Sequence, residues 1–183
     1  VDSALQGAVF RLEAENALAE LGGQLQLGED LQYPPVGNAP EVVNLPVRFG
    51  RNITLLGVLP PQAQNYHPGD ILAITTYWRI DGEPPSRPGV FTRLHDTLQS
   101  SPYTETNVLD VIPGDLQERD VIIQTNFMAI PDTLLPGDYI LTLGAFDNNP
   151  LNQIQVFGND VSVGRGDYLL LRSRLKIEPP ENS

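Results

Sequence analysis

The side chains best suited to proton transfer in this chain are two histidines and 23 carboxylates, because cysteine is absent. His67 and His95 stand 28 residues apart, and neither belongs to a His-x-His or His-Glu-x-x-His arrangement, so their spacing argues against a paired-imidazole metal site. Asp96 follows His95 and can polarise its imidazole. Acid–base catalysis also needs a third group to orient the pair, and none is visible. Two carboxylates held about 5 to 9 Å apart in a cleft can hydrolyse a glycosidic bond. Asp96, Glu105, Asp110, Asp115, Asp120 and Asp147 qualify by residue type alone, and in so acidic a chain solvated surface charge accounts for them. No catalytic residue is assigned.

Oxygen ligands for calcium occur in Asp147-Asn148-Asn149 and Gly158-Asn159-Asp160. Both are equally good turn sequences, and neither has the spaced Asp-x-Asp-x-Asp-Gly pattern, so no metal or other cofactor is expected. Arg165-Gly166-Asp167 spells an integrin-type tripeptide but reads as a turn before a strand, and Asn52-Ile53-Thr54 is a glycosylation sequon that overlaps a core strand. Tyr77 and Trp78 are adjacent, so on a strand they face opposite sides. Leu72, Ile74, Thr76 and Trp78 form an inward series. This leaves Tyr77 and Tyr103 as the candidate ligand-binding residues, rings on which a sugar can stack.

The elements that position these residues are strands. Period-2 runs rich in β-branched and aromatic residues cover 53–59, 71–80, 90–95, 119–128, 139–146, 154–157 and 168–177. Val121, Ile123, Thr125 and Phe127 are expected on a dry face, with Gln124 and Asn126 on the wet one. Leu169, Leu171, Leu175 and Ile177 alternate with Arg172, Arg174 and Lys176, cations that suit a solvated face or a guarded edge strand. Pro-Gly-Asp recurs at 68–70, 113–115 and 136–138, each a turn that reverses the chain. Connections 81–88 and 99–117 are too irregular for crossover helices, so pairing is expected to be antiparallel. Residues 4–21 space Leu5, Ala8, Val9, Leu12, Leu18 and Leu21 as a short helix stopped by Gly22-Gly23; Ala8, Phe10, Leu12 and Ala14 also alternate as a strand. The expectation is an all-β, antiparallel two-sheet sandwich of seven to nine strands, immunoglobulin-like or jelly-roll-like, over residues 46–178. A helical or extended N-terminal segment and linker occupies 1–45, and a tail 179–183.

Eleven basic residues against 23 acidic ones give a net charge of −12 and no basic stripe, so nucleic acid is not an expected partner. No run of 18 apolar residues and no signal-peptide pattern occur, so the chain as given reads as soluble. It opens on Val1, which leads to the expectation of a processed product or excised fragment, with membrane association only through segments outside it.

Taken in order, Phe49-Gly50 to Leu55-Leu56-Gly57, His67-Pro68-Gly69-Asp70 to Thr76-Tyr77-Trp78, Val90 to Leu94, Ile130-Pro131 to Pro136-Gly137-Asp138-Tyr139, and Leu143-Gly144-Ala145-Phe146-Asp147 form one pattern. It resembles the β-sandwich domain appended to bacterial membrane glycosyltransferases of the mannosyltransferase and aminoarabinose-transferase type. The resemblance spans about residues 45 to 178 and rests on turn and core residues. It departs from the family at Phe91-Thr92-Arg93-Leu94-His95-Asp96, where the histidine is shifted. The resemblance implies an extracytoplasmic sandwich without catalytic residues, which sit in the membrane part of those enzymes. The expected function is therefore a non-catalytic interaction domain of the cell envelope. It would bind a protein or a glycan through proline-bearing loops, chiefly 81–88 and 99–117, with a carbohydrate-binding module or a glycan-active enzyme as alternatives.

Overall fold

A computed structural model describes residues 7–11, 31–35, 41–61, 63, 65–107, 109–158, 160, 162–172 and 174–180. Among these residues the chain forms β1 (Gly7–Arg11), β2 (Leu31–Gln32), β3 (Val47–Phe49), β4 (Ile53–Leu59), β5 (Asn65–Tyr66), β6 (Ile71–Ile80) and β7 (Pro88–His95). It continues with β8 (Thr104–Asn107), β9 (Asp120–Ala129), β10 (Gly137–Asp147), β11 (Val156–Gly158), β12 (Leu169–Leu171) and β13 (Leu175–Ile177).

The first sheet runs β1-β9-β6-β4-β3-β11; the second runs β2-β12-β10-β13-β5, with β7 also pairing β10 and β8 pairing β7. All of these pairings are antiparallel except the two-residue contact of β13 with β5, which is parallel. The inner faces close on one core. Phe49, Leu55, Leu72, Ile74, Trp78, Ile122 and Met128 of the first sheet share it with Val90, Leu94, Leu141, Leu143, Leu169, Leu171 and Leu175 of the second. Burying apolar faces in this way, at about 25 cal/mol per Å², is what holds two sheets together. The fold is the expected β-sandwich.

Each of the seven predicted runs supplies a strand, and β1, β2, β3, β5 and β8 are additional. The 99–117 connection is not irregular throughout, because it contains β8. The helical reading of 4–21 fails over Gly7–Arg11, which pair with Gln124 to Asp120 and so satisfy the edge of β9; residues 12–21 lie outside the described residues. The stretch read as a linker also contributes β2, which pairs with β12.

The first Pro-Gly-Asp makes the expected reversal: Gly69 has φ 89°, Asp70 N donates to His67 O (3.1 Å), and Asp70 Oδ2 accepts from His67 N (2.7 Å). The second is a single 3-10 turn. The third does not reverse the chain, because Gly137 and Asp138 already pair with Ile177 and Lys176 in β10.

The polarity of β9 is inverted relative to the prediction. Gln124 and Asn126 are 0% and 3% exposed, whereas Phe127 is 51% exposed. Cross-strand register explains this, since residues directly opposite share a face. β6 must bury Trp78, Ile74 and Leu72, and their partners are Ile122, Asn126 and Met128, with Gln124 opposite Thr76. Trp78 and its inward series are placed as predicted.

Candidate functional site

One end of the sandwich holds a hollow of about 290 Å³ lined by Phe49, Arg51, Asn52, Ile53, Pro85, Asp147 and Ile154. Three connections build it and are tied to one another through their backbones. Gly50 N donates to Gln155 O (2.7 Å), Asp81 N to Asn52 O (2.8 Å), and Asn148 N to Arg87 O (2.9 Å). Gly50 has φ 57°, and a Cβ there would meet Ile154 Cγ2 at 2.8 Å, so the β3–β4 turn needs glycine to pack this closely. Asp147 Oδ1 accepts from Arg87 N (3.0 Å), which holds the carboxylate in place; its second oxygen has no hydrogen-bond partner among the described residues. Among the described residues the Arg51 side chain has no ion-pair partner. The lining thus combines an arginine and a fixed carboxylate with the apolar residues Pro85 and Ile154.

The predicted recognition loop at 81–88 forms part of this hollow. The 99–117 stretch divides: residues 99–103 turn at the far end, where Tyr103 N donates to Leu94 O (2.8 Å), while Arg119 N donates to Ile80 O (2.8 Å) at the near end. Tyr77 and Tyr103 stand on different sheets and do not form one platform. Tyr77 is half-buried on the outer face of the first sheet, opposite Ile123. Tyr103 is 49% exposed, donates to Asp96 Oδ2 (3.1 Å), and meets the Tyr139 ring edge-on at 5.7 Å.

The groups considered for proton chemistry have separate partners. His95 Nδ1 lies 3.2 Å from Ser100 O and Nε2 lies 3.2 Å from Thr142 Oγ1, so its ring turns away from the adjacent Asp96. Asp96 is held below the usual carboxylate range by hydrogen bonds from Ser100, from the Thr97 backbone and from Tyr103. Glu105 pairs with Arg93 (2.9 Å), Asp110 meets Gln124, and Asp120 accepts from Gln117 N (2.9 Å). His67 lies 3.6 Å from Asp70 beside the first turn.

Turn duties also occupy the oxygen-rich loops. Asn149 Oδ1 accepts from Leu151 N (2.9 Å) and Asp160 Oδ1 from Ser162 N (3.0 Å); Asn159 lies outside the described residues. Asn52 Nδ2 of the sequon donates to Glu83 O, and Thr54 donates to Asp81. In the Arg-Gly-Asp tripeptide, Arg165 pairs with Glu41 and lies 5.3 Å from the Tyr33 ring centre, so it is committed to the fold.

Sequence reasoning missed the polar cluster on the outer face of the second sheet. There Arg93 lies 4.1 Å from the Phe91 ring centre. With its amide assigned from its neighbours, Gln153 accepts through its oxygen from Arg93 Nη1 (2.7 Å) and donates through its nitrogen to Asp167 Oδ2 (2.9 Å). Only the β7–β8 register, which places Arg93 opposite Glu105, could have signalled it.

A pH dependence follows from His95. Burial is the main cause that pushes its imidazole below the ordinary 6.5; Arg93 acts in the same direction, while the Ser100 carbonyl, Asp96 and Glu105 oppose it. Below 6.5 the unfolded chain takes up a proton that the folded chain resists, so this contribution to stability falls as pH drops from about 6.5. Urea midpoints compared at neutral and acidic pH are expected to fall less in His95→Gln than in the parent. Equal losses would contradict this assignment.

No protein-family description matches the chain, and no curated protein matches it significantly. Among solved structures it is similar to the crystal structure of the C-terminal domain of Wzt, at 10% identity over 75% of this chain and 78% of that one, with a TM-score of 0.48.

Proposed function

We propose that this chain is a non-catalytic binding domain of the cell envelope that recognises a glycan in the hollow at the 81–88 end of the sandwich. The observation that carries this reading is that Arg51 and Asp147 line one hollow together with Pro85 and Ile154. Sugar rings present hydroxyls in the ring plane and C–H groups on its faces, so they suit fixed planar donors and acceptors beside apolar walls. The hollow rests on rigid strands and proline-bearing loops, which lowers the ordering cost of binding. Two features support the non-catalytic part. The candidate carboxylates have separate partners, and among the described residues the carboxyls that shift, Asp96 and Asp160, shift downward, whereas a glycosidic general acid needs its proton held. The extracytoplasmic placement and the kinship with domains appended to membrane glycosyltransferases draw support from the turn and core strings at 45–178. Among the described residues no helix is long and apolar enough to cross a membrane.

A glycan array followed by titration of the best hit tests the reading. Arg51→Ala and Asp147→Asn are each expected to weaken binding about tenfold, the scale of one charge-assisted hydrogen bond. Tyr77→Ala and Tyr103→Ala are expected to leave it unchanged. Loss of binding in the tyrosine variants alone would move the site to a stacking platform, and turnover of the glycan by the purified chain would refute the non-catalytic assignment.

A further inference from the structure

Of the two roles expected for Arg172 and Arg174, the solvated one holds, since both are exposed, and the edge-guard one fails: β12 lies between β2 and β10, and β13 between β10 and β5. The register shows what else sets them apart. Thr142 is opposite Leu170 and Tyr139 is opposite Leu175, so three steps along β10 are matched by five along its partner. The surplus falls between Leu171 and Leu175, where Arg172 and Arg174 stand. Bulges of this kind re-aim side chains and concentrate at functional sites.

Over the bulge lies a hollow of about 190 Å³, lined by Arg172, Arg174, Gln32, Tyr33, Leu98, Ile140 and neighbours. Among the described residues neither arginine has a carboxylate partner, although Arg79, Arg93, Arg165 and Lys176 all do. In a chain whose net charge is −12, two arginines in one hollow with no carboxylate partner among the described residues favour an anionic ligand there.

We propose that this hollow is a second binding site, one that takes an acidic sugar residue, with Arg172 and Arg174 gripping its carboxylate or phosphate. The paired guanidinium groups offer fork-shaped donors to an oxyanion, Leu98 and Ile140 form an apolar wall for the C–H face of the ring, and Gln32 supplies an amide for a hydroxyl. The hollow is smaller than the roughly 300 to 1,000 Å³ of drug-sized pockets, so it admits one ring and not an acyl chain. The inference rests on the glycan-binding reading and adds to it a charge class and a separate location.

Titration of the chain with tri-galacturonic acid, glucose 6-phosphate and maltotriose tests it. At least one acidic ligand is expected to bind more tightly than maltotriose, with affinity falling as salt rises. Arg172→Gln and Arg174→Gln are each expected to lower that affinity about tenfold with unchanged unfolding midpoints. Lys176→Gln should not. Preference for the uronate assigns a carboxylate, and preference for the sugar phosphate assigns a phosphate. Maltotriose binding as tightly as both acids, or acid binding that survives the double Arg172→Gln/Arg174→Gln change, overturns this site and leaves the glycan reading standing. No binding by any of the three, together with an empty glycan array, overturns both.

Discussion

Trp78→Ala is expected to destabilise the chain by about 3 to 5 kcal/mol, the largest effect of any single substitution considered, and to lower the melting temperature by roughly 6 to 20 °C. The side chain is 0% exposed at the centre of the inner face. Its ring meets Phe49 edge-on with centroids 5.1 Å apart, and its indole N–H donates to Thr76 Oγ1 at 2.8 Å. Truncation removes the aromatic pair, opens a cavity that flanking strands cannot close, and leaves the Thr76 hydroxyl without its donor. Because Trp78 is the chain's single tryptophan, the parent can be followed by its own fluorescence in urea and both proteins by circular dichroism. A loss below about 1 kcal/mol would mean that the ring is not at the sheet interface.

Gln124→Ala is expected to cost about 2 to 4 kcal/mol, while Phe127→Thr, three positions along the same strand, costs less than about 1 kcal/mol. The Gln124 amide oxygen accepts from Asp110 N (2.8 Å), and its nitrogen donates to Asn126 Oδ1 and to Thr125 O, both at 3.2 Å. Alanine leaves the buried Asn126 Oδ1 without this donor and releases the segment around Asp110 from β9. Phe127 already has half its surface in water, so little burial is lost. Urea denaturation of both variants measures the contrast, and hydrogen exchange at Asp110 N–H should accelerate only in the first. The reverse order of stabilities would restore the inward assignment of Phe127.

This pair of residues shows where the sequence can and cannot be read. Strand positions follow from alternation and turn chemistry, so β4 and β6 begin and end where the periodicity says. Which face is dry follows from the neighbouring strand's register. β9 offers apolar residues on both faces, and Trp78 across the ladder decides between them. β1 was obscure because short apolar runs fit both periods until a partner 113 residues along the chain is known, as for Val9 and Ile122. The 81–88 loop was recognisable by its prolines. Arg51, Asp147 and Ile154 become neighbours only through the ties among three connections. Tyr77 and Tyr103 were chosen by residue type, and type carries no information about which sheet a ring occupies. The alternation of cations at 172–176 was legible, whereas the surplus that sets two of them in one hollow with Ile140 depends on how β10 is matched.

The pairing of β1 with β9 also has a consequence for synthesis on the ribosome. Residues 7–11 emerge first, yet their hydrogen-bonding partners at 120–124 are translated more than a hundred codons later. At about 5 to 20 residues per second that interval lasts roughly 5 to 20 s. Throughout it residues 7–11 lack the β9 ladder, and a polypeptide arrested before residue 120 carries that strand without the edge it pairs with in the fold.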